Sequence, residues 1–269
     1  MSFFPVGDDG RVWYRIHGHG PRPVLFLHGL GCAGSRDFTP SLGYFPGEHF
    51  TCVVLDLPGF GRSTAPRCWG YTLQDHAACV ESLVECLGME EVDAVAHSLG
   101  GTLAVVLLDR GALGIGRLVL IEPFFAHYPG KPYRKLRRTP AEREEEVFDQ
   151  LLAEYRRRAE AGSETARIYA ETLSQCGPHS YFATMRSVAD LVDQQDLPAL
   201  LGSRAADVCY LVGGANLEQR AAEMARLRDM GIEVRVIEDA GHDMLHARPE
   251  AVYPAVVSYL LRGRLPGGQ

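Results

Sequence analysis

The feature that most constrains the fold of this chain is a regular alternation of short apolar runs with helical patterns. Runs rich in Val, Ile and Leu, bounded by glycine, proline or polar residues, predict strands. The predicted strands cover residues 12–17, 24–28, 51–55, 92–96, 118–121, 208–212 and 234–237. The central runs are apolar throughout, as expected of strands that are buried on both faces. The alternation therefore predicts an α/β fold in which helices flank both faces of a mostly parallel central sheet.

The alternation breaks in a long stretch that has no strand-like run. Helical patterns dominate it, over residues 140–161, 163–176 and 178–193. We interpret residues 123–206 as a helical cap, or lid, inserted after the strand at residues 118–121, and residues 1–122 and 207–269 as the core. A basic run at residues 131–138 is typical of a solvated helix surface, although it could also contact an anionic substrate or carrier.

The composition and the cysteine pattern exclude several classes of protein. A chain with 46% hydrophobic residues is too apolar for a disordered protein, and a net charge of −7 argues against a nucleic-acid partner. The seven cysteines are scattered and form no C-x-x-C pair, so we expect neither a disulfide framework nor a zinc site. The opening residues lack a secretory signal, and the longest apolar runs are too short to span a membrane. We therefore expect a cytoplasmic monomer or homodimer with no membrane, nucleic-acid or metal partner.

The most informative motif is VDAVAHSLGG, at positions 92–101. A β-branched strand runs into His97 and Ser98, and an apolar helix with two glycines follows from Leu99. A serine at the apex of a strand, a sharp turn and a helix forms a nucleophile elbow, in which the Oγ projects above the sheet. The usual pattern is G-x-S-x-G, and Ala96 replaces the first glycine with the addition of one methyl group. In this context the motif predicts that Ser98 is a nucleophile.

Three further blocks occur in a fixed order around this motif. LFLHGLG (25–31) ends a strand in His-Gly, DLPGFGRS (56–63) follows the next strand, and DAGH (239–242) follows the last strand. Together with the serine elbow, these blocks resemble the α/β-hydrolase superfamily, in its capped members with a serine nucleophile, over essentially the whole chain. The resemblance implies the α/β-hydrolase fold and a hydrolytic activity that needs no cofactor.

Carried over position by position, the resemblance implies roles for four residues. Ser98 would be the nucleophile, and His242 would be the general base that accepts its proton. The backbone N–H groups of Leu30 and Leu99 would form the oxyanion hole. Removing one such donor typically costs about 2.7–4 kcal/mol of transition-state stabilisation.

The other histidines near these motifs have simpler interpretations. We expect His28 to hold the His-Gly loop through hydrogen bonds and His97 to be a packing residue. His246 lies four residues after His242, which could suggest a metal pair at helical spacing. No acidic motif supports such a site, so the triad interpretation is favoured.

The third member of the triad is where the sequence departs from the family pattern. The family usually carries an acid in a G-x-x-D block after the seventh strand, but here the block is GGAN and Asn216 takes that position. Glu122 ends the sixth strand in LVLIEP, on the same carboxyl edge of the sheet. Some members, including many haloalkane dehalogenases, place the acid there. We favour Glu122 over Asn216 as the acid, with Asp239 and Asp243 as more distant options.

The sequence thus predicts a hydrolase of ester, thioester or related acyl compounds that forms an acyl-enzyme on Ser98. Its substrate would be a small molecule, free or carrier-bound. The aromatic residues expected to line the pocket are Phe124, Phe125, Tyr128, Tyr181 and Phe182. The same serine–histidine site could instead run C–C bond hydrolysis, acyl transfer, ring closure or lyase chemistry of a biosynthetic pathway. A further alternative, suggested by Asn216, is a non-catalytic ligand-binding protein on a hydrolase scaffold.

Overall fold

The strands of this protein form a sheet that brings the carboxyl ends of its central strands side by side. The computed structural model describes residues 2–66, 68–127 and 136–262. The strands are β1 Ser2–Val6, β2 Gly10–Gly18, β3 Arg22–Leu27, β4 Phe50–Leu55, β5 Glu91–His97, β6 Gly114–Ile121, β7 Val208–Gly213 and β8 Glu233–Ile237. They form an eight-stranded sheet in the order β1-β2-β4-β3-β5-β6-β7-β8. The β1–β2 and β2–β4 pairs are antiparallel and the other pairs are parallel, which confirms the predicted mostly parallel fold.

Strand β1 is the part of the sheet that the sequence did not predict. It contains Pro5, which has no backbone N–H to donate and therefore weakens any strand pattern. The structure accommodates this proline because β1 is an edge strand, paired with β2 on one side, where Pro5 lies opposite Arg11.

Helices cover both faces of the sheet. In the described residues they are α1 Gly34–Asp37, α2 Leu73–Cys86, α3 Leu99–Arg110, α4 Glu144–Glu160, α5 Glu164–Leu173, α6 Pro178–Gln194, α7 Leu197–Leu200, α8 Ala221–Asp229, α9 Met244–Ala247 and α10 Pro249–Leu261. None of these helices combines the length and the apolar character needed to cross a membrane. Side chains of α2 and α3 pack in one hydrophobic cluster, and side chains of α10 pack with the opposite face of the sheet in another.

Helices α4 to α7 lie between β6 and β7, in the segment interpreted above as a cap. They are tied to the rest of the protein by polar contacts as well as by apolar packing: Ser187 accepts a hydrogen bond from the Leu73 N–H (2.9 Å), and Ser180 donates to the Gly59 oxygen (3.0 Å). The division into a core (1–122 and 207–269) and a cap (123–206) stays a prediction. Much of its basic run, residues 131–135, lies outside the described residues.

His76 is a buried titratable group at the contact between α2 and α6. Its Nε2 lies 3.1 Å from Thr184 Oγ1, and the rings of Phe60 and Trp69 pack against its ring. Burial, assisted by the nearby His28, lowers the pKa of His76 from 6.5 to about 3. The folded protein therefore keeps His76 neutral at pH values where the unfolded chain binds a proton.

This difference predicts a pH-dependent stability that a single substitution should remove. The contribution of His76 is complete above pH 6.5 and is lost as the pH falls towards 3, because protons then favour the unfolded chain. When the pH is lowered from 7 to 5, we expect the free energy of unfolding to fall by about 2 kcal/mol less in His76→Phe than in the wild type. Guanidinium unfolding at both pH values measures the effect, with His49→Phe at an exposed position as the control. Equal losses in the wild type and His76→Phe would contradict the prediction.

Candidate active site

Ser98 stands at the junction of β5 and α3 in a strained backbone conformation. Its φ of 53° and ψ of −116° are values that a residue other than glycine rarely adopts. Two glycines make the turn possible. A Cβ at Gly100 would lie 2.2 Å from the Leu27 oxygen, and one at Gly101 would lie 2.6 Å from Pro123 Cβ. This close approach of α3 to the sheet places Ser98 at the carboxyl edge of the central strands.

His242 lies on the loop between β8 and α9 and faces Ser98. Its Nε2 is 3.1 Å from Ser98 Oγ, which is a hydrogen-bond distance. The ring of His97 packs against the ring of His242, with centroids 4.8 Å apart, and His97 Nε2 donates to the His242 carbonyl oxygen at 3.0 Å. Burial and the neighbouring His242 lower the pKa of His97 to about 3, so its ring is neutral. His97 therefore holds the His242 loop in place, a role beyond the packing that the sequence suggested.

Glu122 follows β6 directly and is almost completely buried. Its Oε2 lies 2.9 Å from His242 Nδ1, and its backbone has a φ of 41°. Burial alone would raise the pKa of this carboxyl group. The hydrogen bond with His242, the charge of Arg220 3.7 Å away and a hydrogen bond from Asn216 outweigh burial and lower the pKa to about 2. An ionised Glu122 accepts a hydrogen bond from the Nδ1–H group, and this tautomer leaves Nε2 free to accept the proton of Ser98.

Asn216, the other residue considered for the acid, lies in the same hydrogen-bond network. Its Nδ2 donates to both carboxylate oxygens of Glu122, at 2.9 Å each, and the Gly213 N–H donates to Oε1 at 2.9 Å. The two candidates are therefore partners at the ends of β6 and β7. Glu122 is the one at hydrogen-bond distance from the His242 ring.

A small cavity lies beside Ser98. It is lined by Leu30, Ser98, Leu99, Phe124, Met185 and Val188, and the space open to the centre of a water molecule is about 20 Å³. That volume holds a single water. The two residues expected to supply oxyanion-hole N–H groups thus border the same cavity as the serine, and their role stays a prediction.

The pocket residues expected from the sequence separate into two groups. Phe124 lines the cavity, whereas Phe125, Tyr181 and Phe182 are buried in the hydrophobic cluster and do not form its wall. The reason is position along α6: Tyr181 and Phe182 lie in an earlier turn of the helix, whereas Met185 and Val188 lie further along it, where it borders the cavity. Tyr128 lies outside the described residues.

Comparison with known proteins places this arrangement in a family. Residues 24–255 match the model of the alpha/beta hydrolase family. The chain belongs to the alpha/beta hydrolase family.

The proteins that are similar to this alpha/beta hydrolase carry the names of different activities. A 2-hydroxy-6-oxononadienedioate/2-hydroxy-6-oxononatrienedioate hydrolase from Paraburkholderia phymatum is 29% identical over 117 residues, which cover 43% of this chain and 41% of the relative. The match thus spans about two fifths of that protein. An esterase from Exiguobacterium antarcticum has a TM-score of 0.77 and 19% identity, covering 96% of this chain and 98% of the other. A structure from a study of Nitrososphaera gargenis carboxylesterases has a TM-score of 0.78 and 16% identity, covering 96% and 97%. These structures share the fold.

Two other histidines singled out in this alpha/beta hydrolase, His28 and His246, have hydrogen-bond partners within the structure. His28 bonds the Gly29 oxygen through Nδ1 (2.8 Å) and accepts from the Leu57 N–H through Nε2 (2.9 Å), as expected of a residue that holds the loop. His246 Nε2 lies 3.2 Å from Asp37 Oδ1. Within residues 2–66, 68–127 and 136–262, no group of three or more His, Cys, Asp and Glu side chains could hold a metal ion.

Proposed function

We propose that this alpha/beta hydrolase is a serine hydrolase that cleaves ester, thioester or related acyl compounds through an acyl-enzyme on Ser98. The observation that carries the proposal is the line of hydrogen-bond contacts from Ser98 Oγ to His242 Nε2 (3.1 Å) and from His242 Nδ1 to Glu122 (2.9 Å). A nucleophile, a base and a group that orients the base form a complete acid–base unit, so the reaction needs no cofactor.

In the proposed reaction, Ser98 Oγ attacks the acyl carbonyl while its proton moves to His242 Nε2. The carboxylate of Glu122 stabilises the imidazolium that forms, and the N–H groups of Leu30 and Leu99 stabilise the oxyanion. His242 then gives the proton to the leaving alcohol or thiol as its bond to the acyl carbon breaks. Water, deprotonated by His242, attacks the acyl-enzyme, and the proton returns to Oγ as the acid is released.

The walls beside Ser98 support a small, apolar acyl group as the substrate. The side chains that border the cavity with Ser98 are apolar, and they come from the His-Gly loop, from the start of α3, from Phe124 and from α6. We propose that residues 123–206 act as a cap over this site and that the substrate is a small molecule, free or carrier-bound. Free cysteines among the described residues fit a reducing compartment such as the cytoplasm.

A second candidate is C–C bond hydrolysis of an unsaturated dioate on the same site. The partial match to a 2-hydroxy-6-oxononadienedioate hydrolase favours it. Against it stands the apolar wall of the cavity, which offers no charged group to a carboxylate among the residues that line it. We therefore rank ester or thioester hydrolysis first.

The experiment that tests the proposal is labelling with a fluorophosphonate probe. An activated serine attacks the phosphorus, fluoride leaves, and an Oγ–P bond forms. We expect one probe per chain, found by mass spectrometry on the peptide that carries Ser98, with loss of p-nitrophenyl acetate hydrolysis in step with labelling. A protein that takes up no probe and turns over no p-nitrophenyl ester would instead be a binding protein on this scaffold.

A further inference from the structure

Glu122 belongs to a buried line of charged groups that continues away from His242. Arg220 directly precedes α8, and its Nε lies 3.7 Å from Glu122 Oε2. On its other side, Arg220 Nη1 lies 3.0 Å from Glu223 Oε1. The three side chains are 1%, 5% and 10% exposed, in the order Glu122, Arg220 and Glu223. Negative and positive charges therefore alternate behind the histidine, shielded from solvent.

Arg220 also supports the backbone that carries Glu122. Its Nη2 donates to the Glu122 carbonyl oxygen at 3.4 Å, and its Nη1 donates to the Pro123 oxygen at 3.2 Å. The Tyr210 hydroxyl accepts from Nη1 at 2.8 Å and donates to Glu223. Because Glu122 has a φ of 41°, its turn is strained, and these contacts hold the turn that aims the carboxylate at His242.

The same geometry makes Arg220 and His242 compete for one carboxylate oxygen. Both groups lie against Oε2 of Glu122. The charge of Arg220 keeps Glu122 ionised despite its burial, but it also opposes a second positive charge on His242. Glu223 offsets that opposition because it carries a negative charge on the far side of Arg220. Removing Arg220 or Glu223 alone should therefore change the proton affinity of His242 in opposite directions.

We propose, on the basis of the function proposed above, that Arg220 and Glu223 are positioning residues that act through Glu122 to set the pH at which His242 can serve as the general base. Neither residue would touch the substrate. Their effect would pass through the carboxylate that they hold.

Other titratable groups lie on the elements packed around His242. His97 of β5 lies against the His242 ring. A small cavity lined by His97 is also lined by Asp37 of α1, by Asp243, which directly precedes α9, and by His246 of α9. These four groups stay unchanged in the variants used to test the proposal. They therefore add the same background to every measurement.

The test compares Glu223→Gln, Arg220→Gln, the double variant and Arg220→Lys. The first readout is the NMR titration of the His242 ring, assigned by comparison with His242→Gln, because it needs no turnover. The second is the acid limb of the kcat/KM profile for p-nitrophenyl acetate. We expect Glu223→Gln to lower both midpoints by about one pH unit and Arg220→Gln to raise them by a similar amount. The double variant and Arg220→Lys should return close to the wild-type midpoints, because each keeps the net charge of the line.

A purely structural role gives a different pattern. If both single variants move the His242 titration in the same direction, or neither moves it, the proposal is overturned. Unfolding midpoints check that each variant is folded. If Arg220→Gln does not fold, the proposal still requires that Glu223→Gln lowers the His242 midpoint and that Arg220→Lys leaves it close to the wild-type value. Shifted titrations in a protein without Ser98-dependent turnover would overturn the hydrolase function and leave the coupling standing. Turnover with unshifted titrations would overturn the coupling alone.

Discussion

Replacing Ser98 by alanine is expected to lower kcat/KM for short p-nitrophenyl esters by about 10⁵- to 10⁶-fold. The alanine has no Oγ to attack the carbonyl, so no acyl-enzyme can form, while His242 and Glu122 keep the contact that joins them at 2.9 Å. Steady-state kinetics measure the loss, and fluorophosphonate labelling should disappear with it. The residual rate reports what the oxyanion hole and substrate binding contribute without the nucleophile.

The control for this result is a serine that lies away from the site. Ser82 is on α2, where its hydroxyl donates to the Ala78 oxygen of the same helix. Ser82→Ala should therefore keep both turnover and labelling. Wild-type turnover by Ser98→Ala would contradict the proposed function, because another group would then have to be the nucleophile.

Replacing Glu122 by glutamine is expected to lower kcat by about 10⁴-fold, the loss measured for the equivalent change in a serine protease. The amide cannot balance the charge of the imidazolium, and its NH₂ group competes with the Nδ1 proton for the space between the two side chains. Asn216→Ala should lower kcat only about tenfold, because it removes one neighbour of the carboxylate. The hydrogen bond from the Gly213 N–H and the charge of Arg220 remain.

The test depends on which of these two variants, Glu122→Gln or Asn216→Ala, shows the larger loss of kcat. Kinetics and unfolding are measured on the same samples, so that loss of fold is separated from loss of chemistry. Glu145→Gln, at an exposed position of α4, is the matched control for the change of residue type. A larger loss in Asn216→Ala than in Glu122→Gln would show that the acid has been assigned to the wrong residue.

The centre of the candidate site could be predicted because its signals are local or follow from the order of the strands. The turn at Ser98 requires small residues at Gly100 and Gly101, and all three lie in one motif. Glu122 could be found because parallel strands end at the same edge of a sheet. The pairing of β6 with β7 then brings Glu122 and Asn216 together, which the sequence had treated as rivals.

The surroundings of the site could not be predicted, because they depend on tertiary contacts. Arg220 meets the Glu122 carbonyl oxygen across 98 positions of chain, and its sequence context is an ordinary charged helix start. Helical spacing correctly identified an apolar face on α6. It could not show that Met185 and Val188, rather than Phe182, reach the serine, since spacing fixes which face packs inward but not which turn of the helix lies over the site.

The water-sized cavity at Ser98 has a consequence for the order of events in a catalytic cycle. An acyl group is larger than this space, so we expect the walls that carry Met185, Val188, Phe124 and Leu30 to move apart when a substrate or probe enters. We expect this opening to be a first-order step that precedes the reaction at Oγ. As the concentration of an irreversible probe rises, the labelling rate should level off at the rate of opening. That plateau should be the same for probes of different reactivity, because it measures the rate at which the cavity wall opens and not the rate at which the probe reacts with Ser98.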